Sequence, residues 1–305
     1  MKAKMKPIIS AVKSNYNNVY QNITKGLNLI GEPKLKNGDT VIIKINLCAA
    51  RTADTGAITH PQFLNGVLQY LRENYDNLNI YVVESDATVV IADKFVKWLG
   101  FQPVIDKWEA KFVNLSKINI IPKTFKTRYF KEVPVPEIFE KCDYFINMPK
   151  PKTNPMSTIT CGLKNIFGCL PNVDKSIYHP RLDDVISDIN VAIHTDLVLV
   201  DGIIAMGGSQ GPSYGVPIPL NTIICGTDVV AVDSYCARIM GFNPYFIGHI
   251  RKSASSGVGF MKYSLVGDKI EKVNFETNKL EMQLLKFGGS LGRRAQNQLR
   301  TSWRK

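Results

Sequence analysis

The residues most suited to chemistry in this chain are lysines held between prolines and glycines. The stretch Asn147-Met148-Pro149-Lys150-Pro151-Lys152-Thr153-Asn154-Pro155 carries three prolines in nine residues. Each proline fixes its own φ and stiffens the backbone. A stiff segment can present the ammonium groups of Lys150 and Lys152 to a phosphate or carboxylate. Gly162-Leu163-Lys164-Asn165-Ile166-Phe167-Gly168 follows, with Lys164 and Asn165 between two glycines that permit close backbone approach. Lys150, Lys152 and Lys164 are therefore expected to share one anion pocket; the plain alternative is lysines solvated on loops.

Further polar residues stand just after apolar, β-branched runs. They are Lys44 and Asn46 in VIIKINL (41–47), Glu84 and Asp86 at the end of NIYVVES (79–85), Asn147 in CDYFINM (142–148), and Asp201 in LVLVDGI (197–203). In an open parallel sheet the carboxyl ends of strands line the ligand crevice. Asn46, Asn147 and Asn165 can orient an anion there. Glu84, Asp86 or His179, which is near Asp183 and Asp184, can move protons or hold a divalent cation. No HExxH motif and no paired histidines occur, so no metal site is assigned. Asp228 and Asp233 are further oxygen donors, although Asp228 is better explained as a helix cap. The loop AMGGSQGPSYG (205–215) lacks the spacing of a P-loop or dinucleotide fingerprint, and serves equally as a gate or a sharp turn.

These residues need elements to hold them. Strand-like runs at 41–47, 79–85, 142–148, 197–203 and 221–226 alternate with helical patterns at 60–71, 93–100, 156–168, 183–194 and 228–241. Pro61 suits a first helical turn, and Gly100 and Gly241 suit helix ends. The alternation predicts an α/β fold, with a mainly parallel or mixed twisted sheet and helices on both faces. A segment rich in Lys and Pro near 102–135 is expected to be an insertion.

Taken in order, KIN (44–46), THP (59–61), VES (83–85), DYFINMPKPKT (143–153), GLKNIFG (162–168), His179, VDGI (200–203), QGPSYG (210–215) and TDVVAVDSYCARIMG (227–241) resemble the domain-of-unknown-function 362 family. Ile45 stands where that family usually has proline. Pro151 stands where it has an aliphatic residue, and Asn154 where it has histidine. The resemblance implies the fold and the place of the site more than a reaction. Many members carry a ferredoxin-like run of cysteines. Here Cys48, Cys142, Cys161, Cys169, Cys225 and Cys236 form no CxxC pair. The chain is assigned to the branch without that run. No iron–sulfur cluster, flavin or NAD is expected, and the cysteines are taken as buried thiols.

The composition is that of a globular protein, with 45% hydrophobic and 21% charged residues. No apolar run approaches the ~20 residues that span a bilayer. The basic N-terminus lacks a signal-peptide core, so the cytoplasm is the expected compartment. A single domain over 1–285 and a basic tail over 286–305 are expected. The net charge is +12, and six of the positive charges lie from Lys286 on with no acid among them. Nucleic acid is a possible partner of that tail, as is plain solvent. The leading expectation is an enzyme for a small anionic phosphate or carboxylate. The rivals are a non-catalytic binding protein and an accessory protein of cofactor or cluster handling.

Overall fold

A computed structural model describes residues 6–88, 90–209 and 214–275. The tail 286–305, the last stretch of the expected domain and residues 210–213 of the glycine-rich loop lie outside the described residues. The chain opens with β1 (Ile8–Lys13), α1 (Val19–Ile30), β2 (Thr40–Lys44), α2 (Pro61–Asn74) and β3 (Asn79–Glu84). Next come α3 (Ala92–Trp98), α4 (Phe101–Lys107), β4 (Lys111–Asn114), β5 (Ile120–Lys123), β6 (Val133–Pro136) and β7 (Tyr144–Asn147). Short strands β8 (Lys152–Asn154) and β9 (Thr158–Thr160) precede α5 (Gly162–Ile166) and α6 (Leu182–Ala192). The described part closes with β10 (Leu197–Gly207), β11 (Val216–Gly226), α7 (Val229–Ile239), α8 (Gly248–Ser255) and β12 (Ser264–Gly267).

The main sheet runs β12-β1-β11-β10-β7-β2-β3-β4, and along this path only β11 is antiparallel to its neighbours. Its inner strands β2, β3, β7 and β10 are largely buried on both faces, as a helix-covered sheet requires. On β2, Val41 and Ile43 join a core with α1 and α2, whereas Ile42 joins the opposite core with α5, α6 and α7. On β10, Leu197 and Leu199 face the first core and Val198 and Val200 the second. The period-2 alternation thus places helices on both faces.

Two local departures have physical causes. Residues 101–114 belong to the main fold, where α4 leads into β4 and β4 pairs with β3. The excursion is the separate β5–β6 hairpin, where Ile120 pairs with Pro136. Pro103 lies in the first turn of α4, where a proline costs no hydrogen bond. Phe101 and Ile105, four residues apart, bury that helix. The helix expected over 156–168 begins only at Gly162. Thr158-Ile159-Thr160 is β-branched and pairs instead with β8. The Asp233 carboxylate accepts the backbone N–H groups of Gly162 (2.7 Å) and Leu163 (3.0 Å), which fixes where α5 starts.

Candidate functional site

From β2 the chain steps outward to β3 and β4, then returns to β7 on the other side of β2. The strand order therefore reverses at β2, and the crevice outside the carboxyl ends of β2, β3 and β7 is the expected ligand position. A cavity of about 190 Å³ opens there. Lys44, Asn46, Cys48, Glu84, Lys164 and Lys175 contribute to its wall.

Lys44 ends β2 opposite Val83 of β3, and Glu84 follows Val83 at the end of that strand. Lys44 Nζ lies 2.6 Å from Glu84 Oε1 and also donates to Ile45 O at 2.9 Å. Glu84 Oε1 accepts from Ser85 N (2.9 Å) and Oε2 from Leu47 N (2.9 Å). Both side chains are buried, and the carboxylate takes all three of these donors in charge-assisted hydrogen bonds. Gly168 closes over this pair. A Cβ there would sit 2.9 Å from Lys44 Nζ and 3.3 Å from Glu84 Oε1, so the second glycine of GLKNIFG admits the ion pair.

The three asparagines form a chain beneath the cavity. Asn46 Nδ2 donates to Asn165 Oδ1 (2.9 Å), Asn165 Nδ2 to Asn147 Oδ1 (2.8 Å), and Asn147 Nδ2 to Gly162 O (3.0 Å). This relay ties β2, β7 and α5 together. The proline segment explains itself beside β10. Pro149 and Pro151 have no N–H, and their carbonyls accept from Asp201 N and Met206 N at 3.1 Å each. Lys150 and Lys152, two apart on this extended stretch, are both fully buried. Lys152 Nζ has neutral acceptors only: Ala57 O (2.6 Å), Asn46 Oδ1 (2.8 Å) and Cys48 Sγ (3.0 Å). Lys150 Nζ is paired with Asp201 Oδ2 at 3.1 Å and does not line the cavity.

Lys164 and Lys175 supply the free positive charge. Lys164 Nζ sits 4.4 Å above the Phe167 ring centre, a cation–π geometry. Lys175 Nζ donates to Asp86 O (2.9 Å) and Ser85 Oγ (3.1 Å). Burial lowers the pKa of each to about 8. Lys152 and Lys175 add to the effect at Lys164, and Lys44 adds to it at Lys175.

A family model described as "Domain of unknown function (DUF362)" matches residues 41–238, the span that holds every element of this site. The chain belongs to the DUF362 family. A curated relative, the "Thylakoid-associated protein sll1697" of Synechocystis sp. (strain ATCC 27184 / PCC 6803 / Kazusa), is 26% identical over 217 residues. Those residues are 69% of this chain, which spans 65% of the relative's length. Among solved structures, the lactate racemase apoprotein from Thermoanaerobacterium thermosaccharolyticum is 11% identical, with a TM-score of 0.49 over 77% of this chain and 57% of that one.

Of the residues singled out in this DUF362 chain, the structure gathers Lys44, Asn46, Glu84, Lys164 and Asn165 at the cavity wall, with Asn147 and Lys152 directly behind. Asp86 turns its carboxylate to Ala92 N (2.8 Å) and Asn114 Nδ2 (2.9 Å), and meets the site only through its carbonyl on Lys175. His179 lies on the 3₁₀ turn Lys175–Arg181, off the cavity wall. Asp228 caps α7 through Ala231 N (2.9 Å). Among the described residues, no three His, Cys, Asp or Glu side chains gather as metal ligands. No helix of the described residues is long and apolar enough to cross a membrane. Sequence reasoning missed Lys175, whose loop has no periodic signal. It also took Cys48 for a buried thiol, although Cys48 is half-buried and faces the cavity.

The lowered pKa values have a consequence for stability. Between about pH 8 and the ordinary lysine range, the unfolded chain holds protons that folded Lys164 and Lys175 have released. These groups therefore make stability rise with pH across that window. Cys142, Cys169 and Cys225, whose pKa values burial pushes up to about 12, act in the opposite sense above about pH 9. A variant isolates the lysine contribution. Lys164→Met removes no hydrogen bond to a described residue. It should be more stable than wild type near pH 7, by roughly 1–2 kcal/mol after solvent screening. That advantage should shrink as pH rises to about 9.5. Urea unfolding of both proteins across this range checks it, and an advantage that grows with pH would refute the assignment.

Proposed function

We propose that this chain is an enzyme that binds a small phosphate or carboxylate in the cavity at the carboxyl ends of β2, β3 and β7, with the cytoplasm as its compartment. One observation carries the proposal. Glu84 is the acid on the cavity wall, and Lys44 neutralises it. Lys164 and Lys175 line the same wall, and no carboxylate among the described residues is hydrogen-bonded to either. A desolvated site with excess cations is completed by an anion. A lysine of lowered pKa that lines a cleft is a candidate for a functional group. Asn46, Asn147 and Asn165 hold the floor rigid. Glu84 is the group placed to exchange a proton with a bound substrate.

Phosphate, sulfate or a small carboxylate should raise the melting temperature in a saturable way, against matched chloride to remove non-specific salting. A ligand at a hundredfold excess over its Kd stabilises by about 2.7 kcal/mol. Lys164→Gln and Lys175→Gln should each abolish most of the saturable shift. Retention of the wild-type shift by both variants would refute the proposal.

A further inference from the structure

The lysines around the cavity are held in different ways. Lys44 is fixed by Glu84 and Ile45 O, Lys152 by three acceptors, and Lys175 by Ser85 Oγ and Asp86 O. Lys164 has no hydrogen-bond acceptor among the described residues. Its Nζ rests on the Phe167 ring and points into the cavity wall. An ammonium so placed gives up its proton easily, and the amine left behind has an unshared electron pair that no hydrogen bond among the described residues engages. Two cations stand close by. Lys175 keeps one of its three N–H groups unused by Ser85 and Asp86. Lys152 lies behind Cys48.

We propose that Lys164 is a nucleophilic amine, and that the anion of the preceding section is a small oxo acid whose carbonyl condenses with it to an imine. This rests on that account of the cavity and adds the reacting atom. The lone pair of neutral Nζ attacks the carbonyl carbon, the C–N bond forms, and the carbonyl π pair moves to oxygen. A proton passes from nitrogen to that oxygen to give a carbinolamine. Protonation of the hydroxyl then releases water, and the nitrogen lone pair closes the C=N bond. One water leaves, and no oxidant or reductant is consumed. The Lys175 ammonium in the same cavity is the acid for the departing hydroxyl and the partner of the substrate carboxylate. A pKa of about 8 leaves about one Lys164 in ten neutral at pH 7, against roughly one in three thousand for an ordinary lysine. The cavity admits only a short-chain substrate. Desolvation and a neighbouring cation are the two standard means of activating a lysine for imine chemistry.

The test is reductive trapping. The full chain is incubated with glyoxylate or pyruvate and cyanoborohydride, which reduces an imine to a stable secondary amine. Intact mass and peptide mapping locate the adduct. The expected result is one adduct per chain on Lys164, formed at least about tenfold faster than on any lysine of ordinary pKa, faster also than on Lys175, whose Nζ is held by Ser85 Oγ and Asp86 O, and slowed by excess phosphate. Lys164→Arg should lose it. Lys175→Gln should slow it while Lys164 is intact. A melting-temperature titration with acetate and phosphate runs in parallel. Saturable stabilisation without preferential trapping at Lys164 would overturn the imine and leave the anion site standing. Absence of both would overturn both.

Discussion

Glu84→Gln should lose about 3–5 kcal/mol of stability, because it leaves a buried ammonium without its counter-ion. The Glu84 carboxylate takes Lys44 Nζ, Leu47 N and Ser85 N at 2.6, 2.9 and 2.9 Å, and Lys44 is 1% exposed. Glutamine removes the charge and replaces one acceptor by a donor. At least one of these three N–H partners then faces an amide N–H₂. Gly168 packs against the pair, where a Cβ would come within 2.9 Å of Lys44 Nζ and 3.3 Å of Glu84 Oε1. The double replacement Lys44→Met with Glu84→Leu should recover much of the loss, because apolar groups of similar volume often substitute for a buried ion pair. Denaturant unfolding of the three variants measures this. A single variant within 1 kcal/mol of wild type would mean that the pair is solvated in solution.

The legible part of this site was the part set by local rules. Strand periodicity placed Lys44, Glu84 and Asn147 at strand ends, and the α/β alternation made those ends a crevice. What stayed hidden depends on pairing across the chain. Asp233 read as a candidate oxygen ligand, yet it holds the start of α5 from 70 and 71 residues away. Its pKa is raised to about 6 by full burial. Lys150 and Lys152 share one motif and one face of an extended segment, but they meet different partners, because β10 brings Asp201 to the first and β2 brings Asn46 to the second. Lys175 enters the cavity from a loop whose sequence carries no signal of it. The tail 286–305, half of the net charge, lies outside the described residues. Spacing in one sequence reports which side of an element a residue occupies, not which distant side chain will face it.

Asp201→Ala should cost about 3 kcal/mol and should leave the anion response intact. Asp201 is fully buried, and its carboxylate takes Lys150 Nζ (3.1 Å), Tyr16 Oη (3.2 Å) and the backbone N–H of His60 (2.9 Å). Tyr16 in turn stacks on His60 with ring centres 3.8 Å apart, and His60 caps α2 by accepting from Gln62 N (3.1 Å). One carboxylate therefore joins the proline segment, the chain after β1 and the start of α2. Burial already lowers the Lys150 pKa, and Asp201 is the main force that opposes this. Without Asp201 the folded state should favour neutral Lys150 while the unfolded chain keeps it charged, which caps the cost. The unfolded state then binds more protons, so the variant's deficit should deepen toward pH 6 and narrow toward about pH 9. Lys150→Met leaves Asp201 with two remaining donors and should cost less. In both variants the saturable shift with phosphate should persist, because Lys150 lies off the cavity wall and spends its charge on Asp201. Melting curves with and without phosphate separate the two roles. If Lys150→Met folds but no longer responds to any small anion, Lys150 belongs with Lys164 and Lys175 as a ligand of the anion, and the Asp201 pair must open to admit it.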